Sequence, residues 1–221
     1  MKRIPTTELL DTDEGTPQEV EASLKDLRWF NRWFGGIQTT RRMVEHVAAT
    51  AGVTSLSLLE VAAGAGFVAH QTRKFLARRG VRLEVTLLDR LASHLGNGGR
   101  SVVGDALAIP FHESSFDVVS CNLFVHHLSP ELVVQFVREC LRVCRKGVLI
   151  NDLIRHPLHM TLVVAGVPIY RSRITRHDAP ASVRQAYTKE EMCEILRNTP
   201  AAKVEIGSYY LFRMGVIVWK A

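Results

Sequence analysis

Short apolar runs alternate along this chain with longer segments whose apolar residues recur every three or four positions. Residues 55–62, 83–88, 101–103, 116–121 and 148–151 are apolar runs of strand length. Between them, residues 67–79 place Val68, Phe75 and Leu76 on one helical side and stop before Gly80. Ser129 and Pro130 open a second helix with the stripe Leu132, Val133, Phe136, Val137, Cys140, Leu141 and Cys144, which Gly147 is expected to close. Ahead of the first strand, Val20, Leu24, Leu27, Phe30 and Phe34 predict a helix over residues 19–34. Gly35 and Gly36 break it, and Thr39 or Thr40 is expected to cap a second helix through about residue 49.

The ends of the chain read differently. Residues 1–20 are polar and acidic, with Pro5 and Pro17, and predict an arm ordered only by docking. Residues 156–170 predict an apolar helix after the fifth strand, and residues 171–186, polar and containing Pro180, predict a loop. Thr188 to Glu191 form a capping box for a helix to about residue 197. Residues 204–210 and 214–219 then predict a closing hairpin.

Strands alternating with helices require a parallel sheet covered on both faces. The expected fold is therefore α/β: a doubly wound, Rossmann-like sheet of seven mostly parallel strands, with an N-terminal helical cap and a helical insert after strand 5. The expected division is residues 1–52 for the arm and cap and residues 53–221 for the ligand-binding domain. The aromatic cluster Trp29, Phe30, Trp33 and Phe34 reads as core packing, with a place beside a cofactor site as the second reading.

Composition narrows the function. At 221 residues, 47% hydrophobic and 23% charged, the chain has enough apolar material for a sizeable core. The formal net charge is +6, but the arginines and lysines are scattered, which argues against a nucleic-acid substrate. Cys121, Cys140, Cys144 and Cys193 form no CxxC pair and read as reduced, mostly packed thiols, so the expected compartment is the cytoplasm. No signal peptide is expected at the start, and no apolar stretch is long enough to span a bilayer.

The chemistry concentrates where the first strand turns into its helix. Gly64-Ala65-Gly66-Phe67-Val68-Ala69 fits the loose dinucleotide pattern, and Asp89 ends the next strand. Both a nicotinamide dinucleotide and S-adenosylmethionine carry ribose hydroxyls that such an acid can hold. Glu60 separates them, because a carboxylate at the site repels a pyrophosphate and attracts an ammonium and a sulfonium.

Four motifs then occur in order, and the chain resembles the class I S-adenosylmethionine-dependent methyltransferases of the small-molecule branch. Leu59 to Gly66 is similar to the family's first motif, with Ala62 standing where the family usually has a glycine. Asp89, followed by Arg90, matches the acid that holds the ribose. Asp105 and Ala106, followed by Ile109-Pro110-Phe111, match the adenine-contacting segment. Phe116 to Val119 and Asn122 to Leu128 match the strand-4 motif. The resemblance implies S-adenosylmethionine as cofactor, with Glu60, Ala62, Gly64, Gly66, Asp89, Arg90, Asp105, Ala106 and Asn122 as its contacts. The segments 31–36 and 150–158 look like those of a bacterial secondary-metabolite subgroup.

Methyl transfer leaves the protein to position an acceptor and remove a proton. His127 is the first candidate for a base or orienting group and His126 the second. Asn151, Asp152 and His156 are expected to line the acceptor pocket, with Arg155 available to an acidic acceptor. Residues 158–170 and the N-terminal aromatics are expected to roof that pocket. His177 and Asp178 are expected on the surface. The strand-4 end lacks the acid that metal-dependent relatives need, so no metal is expected. The expected activity is methyl transfer to an oxygen of a small apolar, phenolic or polyketide-like metabolite. The alternatives are an NAD(P)-dependent oxidoreductase and a non-catalytic cofactor-binding partner protein.

Overall fold

A computed structural model describes residues 1–12, 15–95 and 99–221. Seven strands form one sheet: β1 (Ser55–Val61), β2 (Arg82–Asp89), β3 (Arg100–Val103), β4 (Phe116–Asn122), β5 (Cys144–Leu153), β6 (Lys203–Tyr210) and β7 (Arg213–Trp219), in the order β3-β2-β1-β4-β5-β7-β6. β1 to β5 run parallel, and β7 enters antiparallel between β5 and β6. The chain winds outward from β1 through β2 to β3, then returns to the other side of β1 at β4. That reversal leaves a crevice at the carboxyl ends of β1 and β4, where sheets of this kind bind ligands.

Among the described residues seven α-helices cover the sheet: α1 (Pro17–Trp33), α2 (Gly36–Ala51), α3 (Phe67–Ala77), α4 (Pro130–Val143), α5 (Pro157–Gly166), α6 (Arg173–Gln185) and α7 (Lys189–Leu196). Adjacent strand residues face opposite cores. Leu58, Val118 and Leu149 pack with Met43, Val44 and Val47 of α2 and Leu76 of α3. Leu59, Val119 and Ile150 pack with Phe136, Val137 and Cys140 of α4 and Met192 of α7.

Several expectations need correction. α2 begins at Gly36, not at a threonine cap. Gly35 holds φ +81° at its start, while Thr39 and Thr40 lie buried inside the helix. β5 begins at Cys144, directly after α4, rather than beyond Gly147. Gly147 serves strand pairing, since a Cβ there would stand 2.8 Å from the Val218 carbonyl oxygen. Residues 173–185 form α6 rather than a loop. Its inward face carries Thr175, Asp178 and Gln185 beside Ile174, Ala181 and Val183, so polar partners mask the helical period.

Those partners receive the N-terminal arm, which is docked along α6. The Asp178 carboxylate accepts from the backbone N–H groups of Leu9 and Leu10 at 2.9 and 3.1 Å. Glu8 Oε1 accepts from Ser182 and Gln185, and Arg3 donates to the Gln185, His126 and Leu128 carbonyls.

Candidate functional site

One cavity of about 820 Å³ opens at the carboxyl edge of the sheet, a volume within the roughly 300–1,000 Å³ of small-molecule sites. Its lower wall is made of strand ends: Glu60 in β1 with Ala62 to Ala65 beyond it, Asp89 at the end of β2 with Arg90 beyond it, Asp105 and Ala106 after β3, and Asn122 at the end of β4. Gly66 lies outside the lining. It turns the chain at φ +68° into α3, and a Cβ there would strike Leu87 at 2.6 Å, so this glycine lets the helix pack on β2.

The polar groups of this wall are held by backbone. Asp89 Oδ2 accepts from Gly64 N at 2.8 Å and Oδ1 from Leu91 N at 3.1 Å, which fixes the carboxylate across the mouth of the glycine turn. Asp105 Oδ1 accepts from Leu107 N at 2.8 Å and closes an Asx turn. Ala62 holds φ +51°, a left-handed conformation costly for any residue with a Cβ, so its departure from glycine acts on the backbone. Leu123 at +55° and Phe212 at +52° also line the cavity. Three of the four non-glycine residues with positive φ thus border one site, where strain of this kind concentrates.

Glu60 is buried rather than solvated. Its carboxylate accepts from the Ser120 hydroxyl, and burial pushes its pKa up to about 7 despite that bond. Asn122 donates to Asn31 Oδ1 at 3.2 Å, which leaves its own Oδ1 buried without a partner among the described residues. An acid that gains from a neighbouring cation, an orphaned acceptor and open space beyond Gly64 fit a cofactor bearing an ammonium group. The fixed Asp89 carboxylate suits hydroxyl donors.

The upper wall is apolar. Trp29, Phe30 and Phe34 of α1 and its end line it with Leu162, Val163, Ile169, Tyr170 and Phe212. The cluster read as core packing is therefore cavity wall, except Trp33, which is 61% exposed.

The two candidate histidines lie side by side, with ring centroids 4.1 Å apart. His126 is buried, its Nδ1 2.6 Å from Asp152 Oδ1 and its Nε2 3.4 Å from Glu8 Oε1, a charge contact rather than an aligned hydrogen bond. Burial disfavours its charge, but Asp152 and Glu8 outweigh burial and hold the pKa up to about 10. A His126 ring held charged by these two carboxylates has no free lone pair for a proton, which favours His127 over His126 as a base. His127 Nδ1 lies 2.8 Å from Asp11 Oδ2 at the cavity wall. Glu8, His126 and His127 bring potential metal-ligand atoms within 4.8 Å of one another.

Other expectations are overturned. Asn151 donates to the Gly36 carbonyl at 2.7 Å and to Thr40 at 2.9 Å, and Asp152 is spent on His126, so neither lines the pocket. Arg155 is buried outside the cavity lining, donating to the Met1 and Ala186 carbonyls and to Glu191. His156 caps α5, its Nδ1 accepting from Leu158 N at 3.1 Å. Asp178 is buried cavity wall, not surface.

Two lining residues had no individual role in the sequence, His159 entering only as part of the expected roof of residues 158–170 and Arg213 not at all. His159 donates from Nδ1 to the Ile154 carbonyl at 3.0 Å, and its ring stacks on Phe212 at 4.9 Å and 9°. That bond fixes the tautomer and leaves Nε2 unprotonated. Burial, with Arg213 and His156 nearby, lowers its pKa against the raising effect of the Ile154 bond. Arg213 is buried and donates to Asn31, Asn151 and the Phe34 carbonyl, and burial lowers its pKa to about 10. The i+3 step from His156 to His159 on an apolar helix was the available signal for the first; nothing in the sequence marks the second.

Residues 59–150 match a family model described as a methyltransferase domain. A demethylmenaquinone methyltransferase of Thermotoga maritima is 33% identical over 117 residues, 50% of this chain and 47% of that protein. The chain thus spans about half the length of the curated relative it matches. Among solved structures, the plantazolicin methyltransferase BpumL, in complex with SAH and a triazolic desmethyl analogue, superposes with TM-score 0.68 at 13% identity over 96% of this chain and 94% of that one. A SAM-dependent methyltransferase from Aquifex aeolicus does so with TM-score 0.55 at 18% identity over 80% and 89%. At such identities these structures share the fold. Residues 59–150 thus match a methyltransferase domain, and with the sheet order and the strand-end site this supports a class I S-adenosylmethionine-dependent methyltransferase.

Proposed function

We propose that this protein transfers the methyl group of S-adenosylmethionine to an oxygen of a small apolar, phenolic or polyketide-like acceptor in the cytoplasm, with residues 1–52 acting as a cap on the domain of residues 53–221. The observation that carries the reading is the continuity of one cavity. It joins the polar strand ends to an apolar aromatic chamber lined by His159, whose Nδ1 is taken up by the Ile154 carbonyl.

The cofactor supplies a methyl carbon already activated by sulfonium. Asp89 holds ribose hydroxyls, Asp105 and Ala106 receive the adenine, and Glu60 with Asn122 receives the ammonium group. The aromatics of α1 and Phe212 hold an apolar acceptor and exclude water. His127, braced by Asp11, orients it. His159 Nε2 would take the acceptor oxygen's proton and become imidazolium, while the methyl–sulfur bond breaks as the methyl–oxygen bond forms and S-adenosylhomocysteine leaves.

The test is transfer of labelled methyl from S-adenosylmethionine to a panel of phenols, quinols and polyketides. His159→Gln is expected to lower kcat about 10²-fold or more with little change in S-adenosylhomocysteine affinity. Label found on nitrogen or carbon only defeats the oxygen chemistry, and full activity in the variant defeats His159 as the base.

A further inference from the structure

Helix α5 is out of keeping with its surroundings. Its sequence PLHMTLVVAG is apolar all round, yet none of its residues is buried. A helix without a polar face belongs in a core or against lipid. Leu158, Leu162 and Val164 are 53, 52 and 52% exposed, and Trp33, Phe34, Ile169 and Leu211 stand 61, 47, 67 and 71% exposed. These account for seven of the eleven exposed large hydrophobic residues in the described chain.

They share one rim. The Tyr170 hydroxyl donates to the Val163 carbonyl at 2.7 Å, Phe30 meets Tyr170 at 5.4 Å and Phe34 at 6.1 Å, and His159 lies on Phe212. These contacts tie α5, the end of α1 and the β6–β7 turn together. Phe34, Leu162, Ile169 and Leu211 also line the cavity, so the exposed patch and the acceptor chamber form one apolar surface.

Charge identifies the partner. Arg32 is exposed in the last turn of α1 beside Trp33, with no ion-pair partner among the described residues. Arg171 is 59% exposed, with a single 3.9 Å contact to Asp26. The carboxylates of α1 that face solvent, Glu19 and Glu21, are already neutralised by Arg173 and Lys25. A second copy of this chain would bring arginines against arginines, whereas an anionic surface complements them.

We propose that this rim docks on an anionic lipid bilayer, with α5 lying in the headgroup layer and the chamber opening toward the hydrocarbon. No helix among the described residues is long and apolar enough to cross a membrane, so the attachment is peripheral. Entry of an apolar acceptor from lipid rests on the function proposed above; the docking itself does not.

The test is co-sedimentation of the full chain with vesicles of phosphatidylglycerol and phosphatidylcholine in roughly equal parts, and with phosphatidylcholine alone. Binding to the mixed vesicles, weakened by salt, is expected. Arg32→Glu is expected to weaken it about fivefold or more. Trp33→Glu and the pair Leu158→Glu with Val164→Glu are expected to weaken it about tenfold. None of these residues lines the cavity, so calorimetric S-adenosylhomocysteine binding serves as the control for folding. Absence of vesicle binding at low salt overturns the proposal, as does a dimer that Trp33→Glu dissociates. Vesicle binding without S-adenosylhomocysteine binding supports docking and defeats the cofactor assignment instead.

Discussion

The two walls of the cavity are held by different physics. The lower wall is an edge of the sheet: Glu60, Asp89, Asp105 and Asn122 sit at strand ends fixed by parallel pairing and two apolar cores, and backbone N–H groups aim the two aspartates. The upper wall is joined by polar clasps between residues far apart in the chain. Asp152, His126 and Glu8 form one, Met1, Arg155 and Glu191 another, and Asn31, Arg213 and Asn151 a third. Backbone pairing gives one geometry regardless of side chain, which suits a constant cofactor. Clasps between side chains can be rewritten one residue at a time, which suits an acceptor that differs between relatives.

Breaking a clasp tests this contrast most severely. Asp152→Ala strands the His126 imidazolium inside the protein and is expected to cost about 3–5 kcal/mol in urea denaturation. A loss below about 1 kcal/mol would mean that the upper wall does not depend on this pair.

A charge on the lower wall is expected to act with the opposite sign. Glu60, raised from 4.5 to about 7, stabilises the fold below its unfolded pKa and loses that contribution as the pH rises through about 7. At pH 8, Glu60→Gln should therefore stabilise the empty protein by about 3 kcal/mol while weakening S-adenosylhomocysteine binding. In the wild type, affinity for that ligand should fall as the pH drops below about 7, because a protonated carboxyl no longer pairs with its ammonium. Calorimetry across pH that shows a flat affinity would remove Glu60 from the ammonium site.

Asp89→Ala should weaken cofactor binding by about 1–3 kcal/mol and, by orphaning the Gly64 and Leu91 N–H groups, lower the thermal midpoint without unfolding the protein. Unfolding instead of weakened binding would erase the distinction between the walls. The smallest effect is expected for Ala62→Gly, which relieves a positive φ and should add about 1 kcal/mol of stability. Lower cofactor affinity in this variant would show that the methyl group contributes a contact.

The lower wall was legible in the sequence because its elements follow apolar period and its acids fall at strand ends, as Glu60 and Asp89 do. α6 was not, since Thr175, Asp178 and Gln185 occupy inward positions and Pro180 reads as a break. A polar residue is buried there because the arm supplies donors and acceptors from more than 165 residues away, and no local pattern encodes that partner. The histidines show the same limit. His126 and His127 stood in a family motif, but only the distant neighbours Glu8 and Asp152 hold His126 charged, and His159 carried no motif at all.

β7 is the last strand in chain order, yet it lies inside the sheet, paired along its length with both β5 and β6, and six of its seven residues are buried. During synthesis, the parallel strands therefore emerge with the β5 edge unprotected until residues 213–219 leave the ribosome. An exposed, apolar edge templates pairing with other chains. The nascent protein must consequently be shielded until its final strand arrives, and a message truncated before residue 213 would yield an aggregating product rather than a smaller enzyme.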